Sequence, residues 1–303
     1  MFNKLIAGIL PYMPKKLVWQ FSKEYIAGES LEQAIAAAKA LNAEGILTTI
    51  DVLGEFIENL DEAEVNKKEY LQVIETAEAA KIKGNYSLKP TSFGLLIDKE
   101  VTYKHIREIV AKAASFNNFV RIDMEDSPCT DMEIELFRKL KNEFPKNVGL
   151  VVQSYMRRTL DDVKNLTDLN ATEAPLNFRL CKGIYVEPVE VAYKKYEEVN
   201  KHFLLSLDYM LEQKMYPSIA THDIPLVEGA YKLLEKYKPA KDKYEFQMLY
   251  GVTPSLRKSI MAKGHRMRVY VPFGKDWFGY STRRLKENPK MASLIIKALF
   301  IKG

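Results

Sequence analysis

Residues 267–289, MRVYVPFGKDWFGYSTRRLKENP, carry the densest set of side chains able to do chemistry. From about Trp277 the pattern predicts a helix that Asn288-Pro289 stops. On it Tyr280, Arg283, Arg284 and Glu287 fall at i, i+3, i+4 and i+7 and share one face, with Phe278 and Leu285 roughly opposite. Two adjacent guanidiniums can clamp a carboxylate with forked, charge-assisted hydrogen bonds. Glu287 lies within reach to orient them and offset their repulsion. A solvated charged face would show the same spacing, so context decides. Here a short strand, Met267, Val269 and Val271 alternating with Arg268 and Tyr270, turns at Phe273-Gly274 and feeds the helix, adding a second phenol.

A second group points to phosphate. Arg179 lies inside an apolar run, NFRLC, where a guanidinium is costly unless it meets a partner. Lys182-Gly183 follows with a cation and a backbone that can be approached closely, and Thr221-His222 ends the next apolar run. Lys-Gly is common at loop entries, so by itself this signal is weak.

The elements that must position these groups repeat a rhythm of short apolar run, punctuation and amphipathic helix. The runs are Gly45–Ile50, Tyr86–Lys89, Phe119–Asp123, Val148–Gln153, Asn177–Cys181, Pro217–Ala220, Tyr244–Met248 and Met267–Val271. Helical patterns at Lys67–Lys83, Lys104–Ala114, Met132–Phe144, Val189–Gln213 and Ile224–Tyr237 lie between them. Eight such units in roughly 250 residues predict an α/β fold of the (βα)8, TIM-barrel type. An open doubly wound sheet is the alternative, but no G-x-G-x-x-G follows any run. Residues 1–42 read as an N-terminal helical arm, with Ser30 and Gln33 spaced as a capping box, residues 43–290 as the barrel, and residues 291–303 as an amphipathic segment. In a barrel, chemistry sits at the C-terminal strand ends. Those ends carry Asp51, Lys89, Asp123 with Glu125, Gln153, Lys182-Gly183, Thr221-His222, Tyr250-Gly251 and Tyr270, so nearly every strand ends in a hydrogen-bonding residue on one rim.

Composition narrows the classes. A chain that is 47% hydrophobic and 28% charged can build a large core, and an excess of 45 Lys+Arg over 40 Asp+Glu does not argue for nucleic acid. Cys129 and Cys181 are far apart and form no metal or redox spacing, which fits a reducing cytoplasm. No apolar run reaches the ~18 residues that span a bilayer.

The ordered motifs T-I-D-V-L-G-E (49–55), S-L-K-P-T (87–91), V-R-I-D-M-E (120–125), R-L-C-K-G-I-Y (179–185), A-T-H-D (220–223), Y-V-P-F-G (270–274) and Y-S-T-R-R-L-K-E-N (280–288) resemble those of the proline dehydrogenases. The resemblance implies a distorted (βα)8 barrel whose last helix lies over the mouth, and FAD-dependent oxidation of L-proline to Δ1-pyrroline-5-carboxylate by hydride transfer to flavin N5. It implies Asp123 and Arg179 as catalytic, and Lys89, Tyr270, Tyr280, Arg283 and Arg284 around proline. It implies Met124, Gln153, Arg179, Cys181, Lys182, Gly183, Thr221, His222 and Glu287 around FAD. Cys181 and Val186 depart from the valine and tryptophan of some relatives. No metal is implied.

The same resemblance implies electrons passed to a membrane quinone and product passed to a pyrroline-5-carboxylate dehydrogenase. Residues 291–303, MASLIIKALFIKG, are apolar with interspersed lysines, a pattern compatible with peripheral contact on the inner face of the cell membrane or with packing on the barrel's exterior. Two other classes are weighed: another flavin barrel such as a folate reductase, which has no need of paired arginines, and a DNA-binding scaffold, for which no basic stripe is present.

Overall fold

The computed structural model describes residues 18–19 and 22–281. Eight parallel strands, β1 (Leu47–Val52), β2 (Gly84–Leu88), β3 (Val120–Ile122), β4 (Val148–Gln153), β5 (Asn177–Cys181), β6 (Tyr216–Ala220), β7 (Glu245–Leu249) and β8 (Met267–Phe273), close in chain order into a barrel, with β8 paired to β1. This is the expected TIM-type α/β barrel. Helices α1 (Leu31–Ala43), α2 (Leu60–Ala79), α3 (Lys99–Ser115), α4 (Thr130–Glu143), α5 (Thr159–Asn165), α6 (Tyr196–Glu212), α7 (Ile224–Tyr237) and α8 (Pro254–Ala262) stand around it. A further helix begins at Trp277 and continues to the last described residue.

Helix α1 starts with the capping box its sequence predicts: the Ser30 hydroxyl accepts the Gln33 N–H and the Gln33 side chain accepts the Ser30 N–H. Its buried face, Ala34, Ile35, Ala38 and Leu41, packs on β1 and β8. A regular barrel seats there the helix that follows its last strand. With the seam already covered, the first turn of the helix from Trp277 stands at the mouth, where Phe278, Gly279 and Tyr280 share a cleft with Leu53 and Lys89.

Several helical boundaries differ from expectation. The segment predicted as Val189–Gln213 becomes helical from Tyr196. Before that, the chain is tied to the β4–α5 loop by an antiparallel bridge between Met156 and Ala192 and by Tyr193 N–H on the Tyr155 carbonyl. The Lys67–Lys83 pattern begins earlier, at Leu60, because Asn59 caps the Glu62 N–H, and ends at Ala79 before Lys81 turns left-handed (φ 55°). Helices α5 and α8, of 7 and 9 residues, are too short to show a period.

Parallel strands covered by helices usually read as continuous apolar runs. Here one face does not. Ile50, Tyr86, Leu88, Ile122, Leu150, Phe178, Leu180, Ile219, Phe246 and Val271 join the apolar core shared with the helices. Their alternating neighbours meet one another in a polar network instead. The Arg121 guanidinium, 1% exposed, donates to the Leu150 and Asn177 carbonyls, the Asn177 side chain and the Ser218 hydroxyl. Glu245 accepts from Arg268 Nε at 2.7 Å and from Gln247 Nε2 at 2.7 Å. Burial alone would raise the Glu245 pKa, yet the Arg268 guanidinium, with the Gln247 hydrogen bond and the Arg121 charge, outweighs it and holds the carboxyl at about 2. Burying these charges is tolerated because Glu245 is ion-paired with Arg268 and the Arg121 guanidinium is hydrogen-bonded to neutral acceptors.

Candidate active site

The upper end of that network is the candidate site. Asp123, just beyond β3, is 9% exposed and receives four groups. Its Oδ1 accepts from the Ser87 hydroxyl at 2.6 Å and from Arg179 Nη1 at 2.8 Å, and its Oδ2 accepts from the Tyr270 hydroxyl at 3.1 Å. Lys89 Nζ stands 3.9 Å from the same oxygen. Asp123 N–H also donates to the Leu88 carbonyl, which fixes the carboxylate against the end of β2. Arg179 reaches Asp123 because its Nε is held at 2.7 Å by Gln247 Oε1, and its guanidinium carbon lies 5.0 Å from the Tyr270 ring centroid.

Lys89 is extended because Pro90 follows it, and Pro90 opens a short 3-10 turn, Pro90–Phe93. That turn is tied to the end of β3 by Glu125, which accepts the Thr91 N–H at 2.9 Å and the Thr91 hydroxyl. Glu133 on α4 in turn accepts the Glu125 N–H. Burial pushes both carboxyls up, Glu125 to about 7, with the Glu125 charge as the second cause at Glu133. On its other side Lys89 Nζ meets Asp51 at 3.3 Å. Asp51 is fully buried, which raises it to about 6 even though the Lys89 ammonium pulls it down. Burial works against the Lys89 ammonium as well, but Asp51 and Asp123 together outweigh it and hold its pKa above the ordinary lysine value. Two anions and two cations are thereby alternated across the barrel mouth.

Among the described residues, a cleft of about 270 Å³ opens beside Lys89, lined by Glu55, Lys275, Asp276 and Tyr280 among others. It is roofed by the first turn of the last helix. Tyr280 is buried there. Arg283, Arg284 and Glu287 lie outside the described residues, as does the segment 291–303.

The expected cofactor residues occupy neighbouring strand ends. Gln153 donates Nε2 to the Met124 and Glu125 carbonyls, at 3.3 and 2.8 Å. Cys181 ends β5, half-buried, and points Sγ to the Val152 carbonyl at 3.7 Å. Lys182 Nζ bonds the Asp223 carboxylate and sits 4.4 Å from the Tyr196 ring centroid. Gly183 has φ 104°, and a Cβ there would fall 2.2 Å from the Tyr155 ring, so no side chain fits. The Thr221 hydroxyl accepts the Asp223 N–H, and His222 Nε2 accepts the Leu249 N–H at 3.0 Å, which ties β6 to β7. The loop beyond Gly183 is pinned across the rim by Glu187, which accepts both the N–H and the hydroxyl of Ser127.

Four side chains that the structure ties into this cluster carry no catalytic, substrate or cofactor role in the sequence reading: Asp51 and Glu125, read there only as strand-end carboxylates, and Ser87 and Gln247, not singled out at all. A period-2 signal marks one of them. Glu245 and Gln247 alternate with Phe246 and Met248 in β7, a polar inner face within an apolar run.

This arrangement has relatives. The sequence model of the family described as Proline dehydrogenase matches residues 34–296. A proline dehydrogenase of Deinococcus radiodurans is 36% identical over 295 residues, covering 96% of this chain and 93% of its own. Proline dehydrogenase 1 of Bacillus subtilis (strain 168) is 34% identical over 281 residues, covering 93% and 91%. Among solved structures, proline utilization A from Bdellovibrio bacteriovorus inactivated by N-propargylglycine superposes with a TM-score of 0.85 at 27% identity. That match covers 95% of this chain and 36% of that one, so this chain spans about a third of its length. With the family match running over most of the chain and two full-length relatives above 30% identity, the chain belongs to the proline dehydrogenase family.

Proposed function

We propose that the protein is a monofunctional, FAD-dependent proline dehydrogenase that oxidises L-proline to Δ1-pyrroline-5-carboxylate, the first step of proline catabolism, and passes the electrons to a quinone. The observation that carries this is the Asp51–Lys89–Asp123–Arg179 alternation under Tyr270, beside a cleft roofed by the helix that leads into Arg283 and Arg284.

The strand ends fit a flavin nucleotide. Gly183 leaves a left-handed backbone with no side chain, Lys182 supplies a cation next to it, and Ile184 and Val186 stand 45% and 98% exposed alongside, apolar surface suited to a planar ring system. Met124, Gln153, Arg179, Cys181, Lys182, Gly183, Thr221 and His222, with Glu287 from the last helix, are the residues proposed to hold it. Bound there, FAD supplies the two-electron acceptor for the hydride that leaves C5 of the pyrrolidine ring.

The chain's own residues position and exclude. Arg283 and Arg284 grip the substrate carboxylate, Lys89 adds a third cation from the rim, and Tyr270 and Tyr280 bracket the ring. Asp123 sets the Arg179 guanidinium through Oδ1 and the Tyr270 hydroxyl through Oδ2, so one carboxylate fixes both the catalytic cation and the ring contact. The last helix covers the cleft and keeps water from the reacting carbon. The substrate nitrogen must be neutral for hydride to leave, so its proton is lost before the redox step.

An anaerobic titration with L-proline is the direct test. The protein should purify yellow, acid should release the flavin, and proline should bleach its visible band stoichiometrically. Steady-state turnover should proceed with a quinone analogue. A protein that cannot be loaded with FAD, or turnover with NAD as sole acceptor, would refute the proposal.

The pH profile tests the cluster. Asp51 is ionised above about pH 6 and takes a proton as pH falls through that value, which removes one of the two anions that anchor Lys89. Because the groups interact, the observed value belongs to the cluster. kcat/KM for L-proline should therefore drop on an acid limb centred near pH 6, and Asp51→Asn should flatten that limb while lowering the plateau. A profile unchanged by Asp51→Asn would remove Asp51 from the mechanism.

No helix of the described residues is long and apolar enough to cross a membrane. Contact with a quinone-bearing membrane through residues 291–303, from the cytoplasmic side, is part of the same proposal. So is the division into an arm, residues 1–42, a catalytic barrel, residues 43–290, and that terminal segment.

A further inference from the structure

The N-terminal segment and the first turn of the last helix are joined by contacts that the reaction scheme above does not use. Trp277, 6% exposed, opens that helix. Its ring centroid lies 4.8 Å from that of Trp19, with the planes tilted by 58°, and its Nε1 donates to a Glu29 carboxylate oxygen at 2.6 Å. The backbones are joined as well. Ala27 N–H donates to the Pro272 carbonyl at 2.9 Å, and Gly274 N–H to the Gly28 carbonyl at 3.1 Å. Nearby, the segment runs so close over the β7–α8 loop that a Cβ on Gly251 would fall 1.7 Å from the Glu24 carbonyl oxygen. Residues 272–277, through which β8 becomes the last helix, are thus held at both ends. The hold has a rigid base, because Glu29 leads directly into α1, whose buried face sits on the β8–β1 seam.

We propose that the segment carrying Trp19 and Glu29 is a clamp that positions the last helix for substrate, with Trp19, Glu29 and Trp277 as positioning residues. This rests on the reading that Arg283 and Arg284 hold the substrate carboxylate. Trp277 precedes Tyr280 by three residues and the arginines by six and seven, less than two turns along the helix the sequence predicts. A helix released at its first turn spends only a fraction of its time with the guanidiniums in place, and apparent affinity falls by that fraction. Chemistry in the correctly placed fraction is unchanged. The clamp therefore acts on KM for a carboxylate-bearing substrate and leaves kcat alone. A ring without a carboxylate draws little on the arginines and should be indifferent to it.

The test compares the holoenzyme with Glu29→Leu, Glu29→Gln and Trp19→Ala, using Arg283→Met as the reference. Dye-linked turnover is measured on L-proline and on pyrrolidine, together with bound flavin and melting temperature. Losing one partly buried hydrogen bond in Glu29→Leu should raise KM for proline roughly 3- to 10-fold. kcat, flavin content and the pyrrolidine rate should each stay within about twofold of the unmutated protein. Glu29→Gln keeps an oxygen that accepts the indole N–H and should restore most of the KM. Trp19→Ala should act in the same direction; Trp19→Phe, which keeps a ring on Trp277, is the milder variant if the alanine form does not fold. If Arg283→Met discriminates between the two substrates while the clamp variants depress both equally, or leave KM unmoved, the clamp is overturned. If Arg283→Met itself depresses both equally, the carboxylate reading falls and takes the clamp with it.

Discussion

Asp123→Ala should lower kcat/KM on L-proline by about 10²- to 10³-fold while FAD is retained. The size follows from what the carboxylate holds. Asp123 accepts from Ser87, Arg179 and Tyr270 and stands beside Lys89, all within a site that is largely closed to water. Removing one partner of a buried, hydrogen-bonded charge pair costs ~3–5 kcal/mol, because the charge left behind is uncompensated. Here two cations lose an anion at once, though Asp51 remains for Lys89 and Gln247 for the Arg179 Nε. About 3–4 kcal/mol of lost transition-state stabilisation corresponds to the stated range, since each 1.36 kcal/mol is tenfold. Asp123→Asn keeps an oxygen for Tyr270 and the shape of the site but not the charge, so it should fall between the two. Stopped-flow reduction of the bound flavin by proline separates this from a binding effect: the limiting rate should fall, not the half-saturating proline concentration alone. A limiting rate within tenfold of the unmutated enzyme would show that Asp123 serves the fold and not the chemistry.

How far the sequence carries depends on which face of a strand a residue occupies. The outward faces of β2, β4, β5 and β8 are Val, Leu, Met, Phe and Tyr packed on helices, and these make the eight-unit rhythm readable. The inward faces carry the polar network. A polar residue inside an apolar run looks like an isolated exception until the barrel is closed. Arg179 is read as needing a partner because a buried guanidinium cannot do without one, but its partners, Asp123 at 56 residues' separation and Gln247 at 68, are joined only by closure. Asp51 is visible as a strand-end carboxylate. That Lys89 bridges it to Asp123 depends on β1, β2 and β3 being adjacent, which spacing does not state. His222 reads as a phosphate contact or a helix cap; the structure adds a bond from the Leu249 N–H to its Nε2, which joins the ends of β6 and β7 across 27 residues and which spacing does not state. The N-terminal arm is the least legible part. Its capping box is local and readable, whereas the tilted Trp19–Trp277 ring contact joins residues separated by most of the chain.

Arg283→Met and Arg284→Met should each lower kcat/KM on L-proline roughly 10- to 150-fold, from the ~1.5–3 kcal/mol that a charge-assisted hydrogen bond contributes in a partly desolvated site. Both residues follow directly from a helix whose first turn already roofs the cleft beside Lys89, with Tyr280 buried against it. If the carboxylate is held equally in the ground and transition states, the loss appears in KM and kcat changes little. Lys89 cannot replace either arginine, since its ammonium is already engaged by Asp51 and Asp123 and offers a point charge where a planar fork is needed. Glu287→Gln should act more weakly, by loosening the arginines it orients. Flavin content should survive Arg283→Met, because the proposed partner of that side chain is substrate. The decisive comparison is L-proline against pyrrolidine, which keeps the ring and the amine but lacks the carboxylate. The arginine variants should lose activity on proline and little on pyrrolidine, so that the unmutated enzyme's preference for proline collapses by the same 10- to 150-fold. Equal losses on both substrates would assign the arginines to the flavin or to the fold.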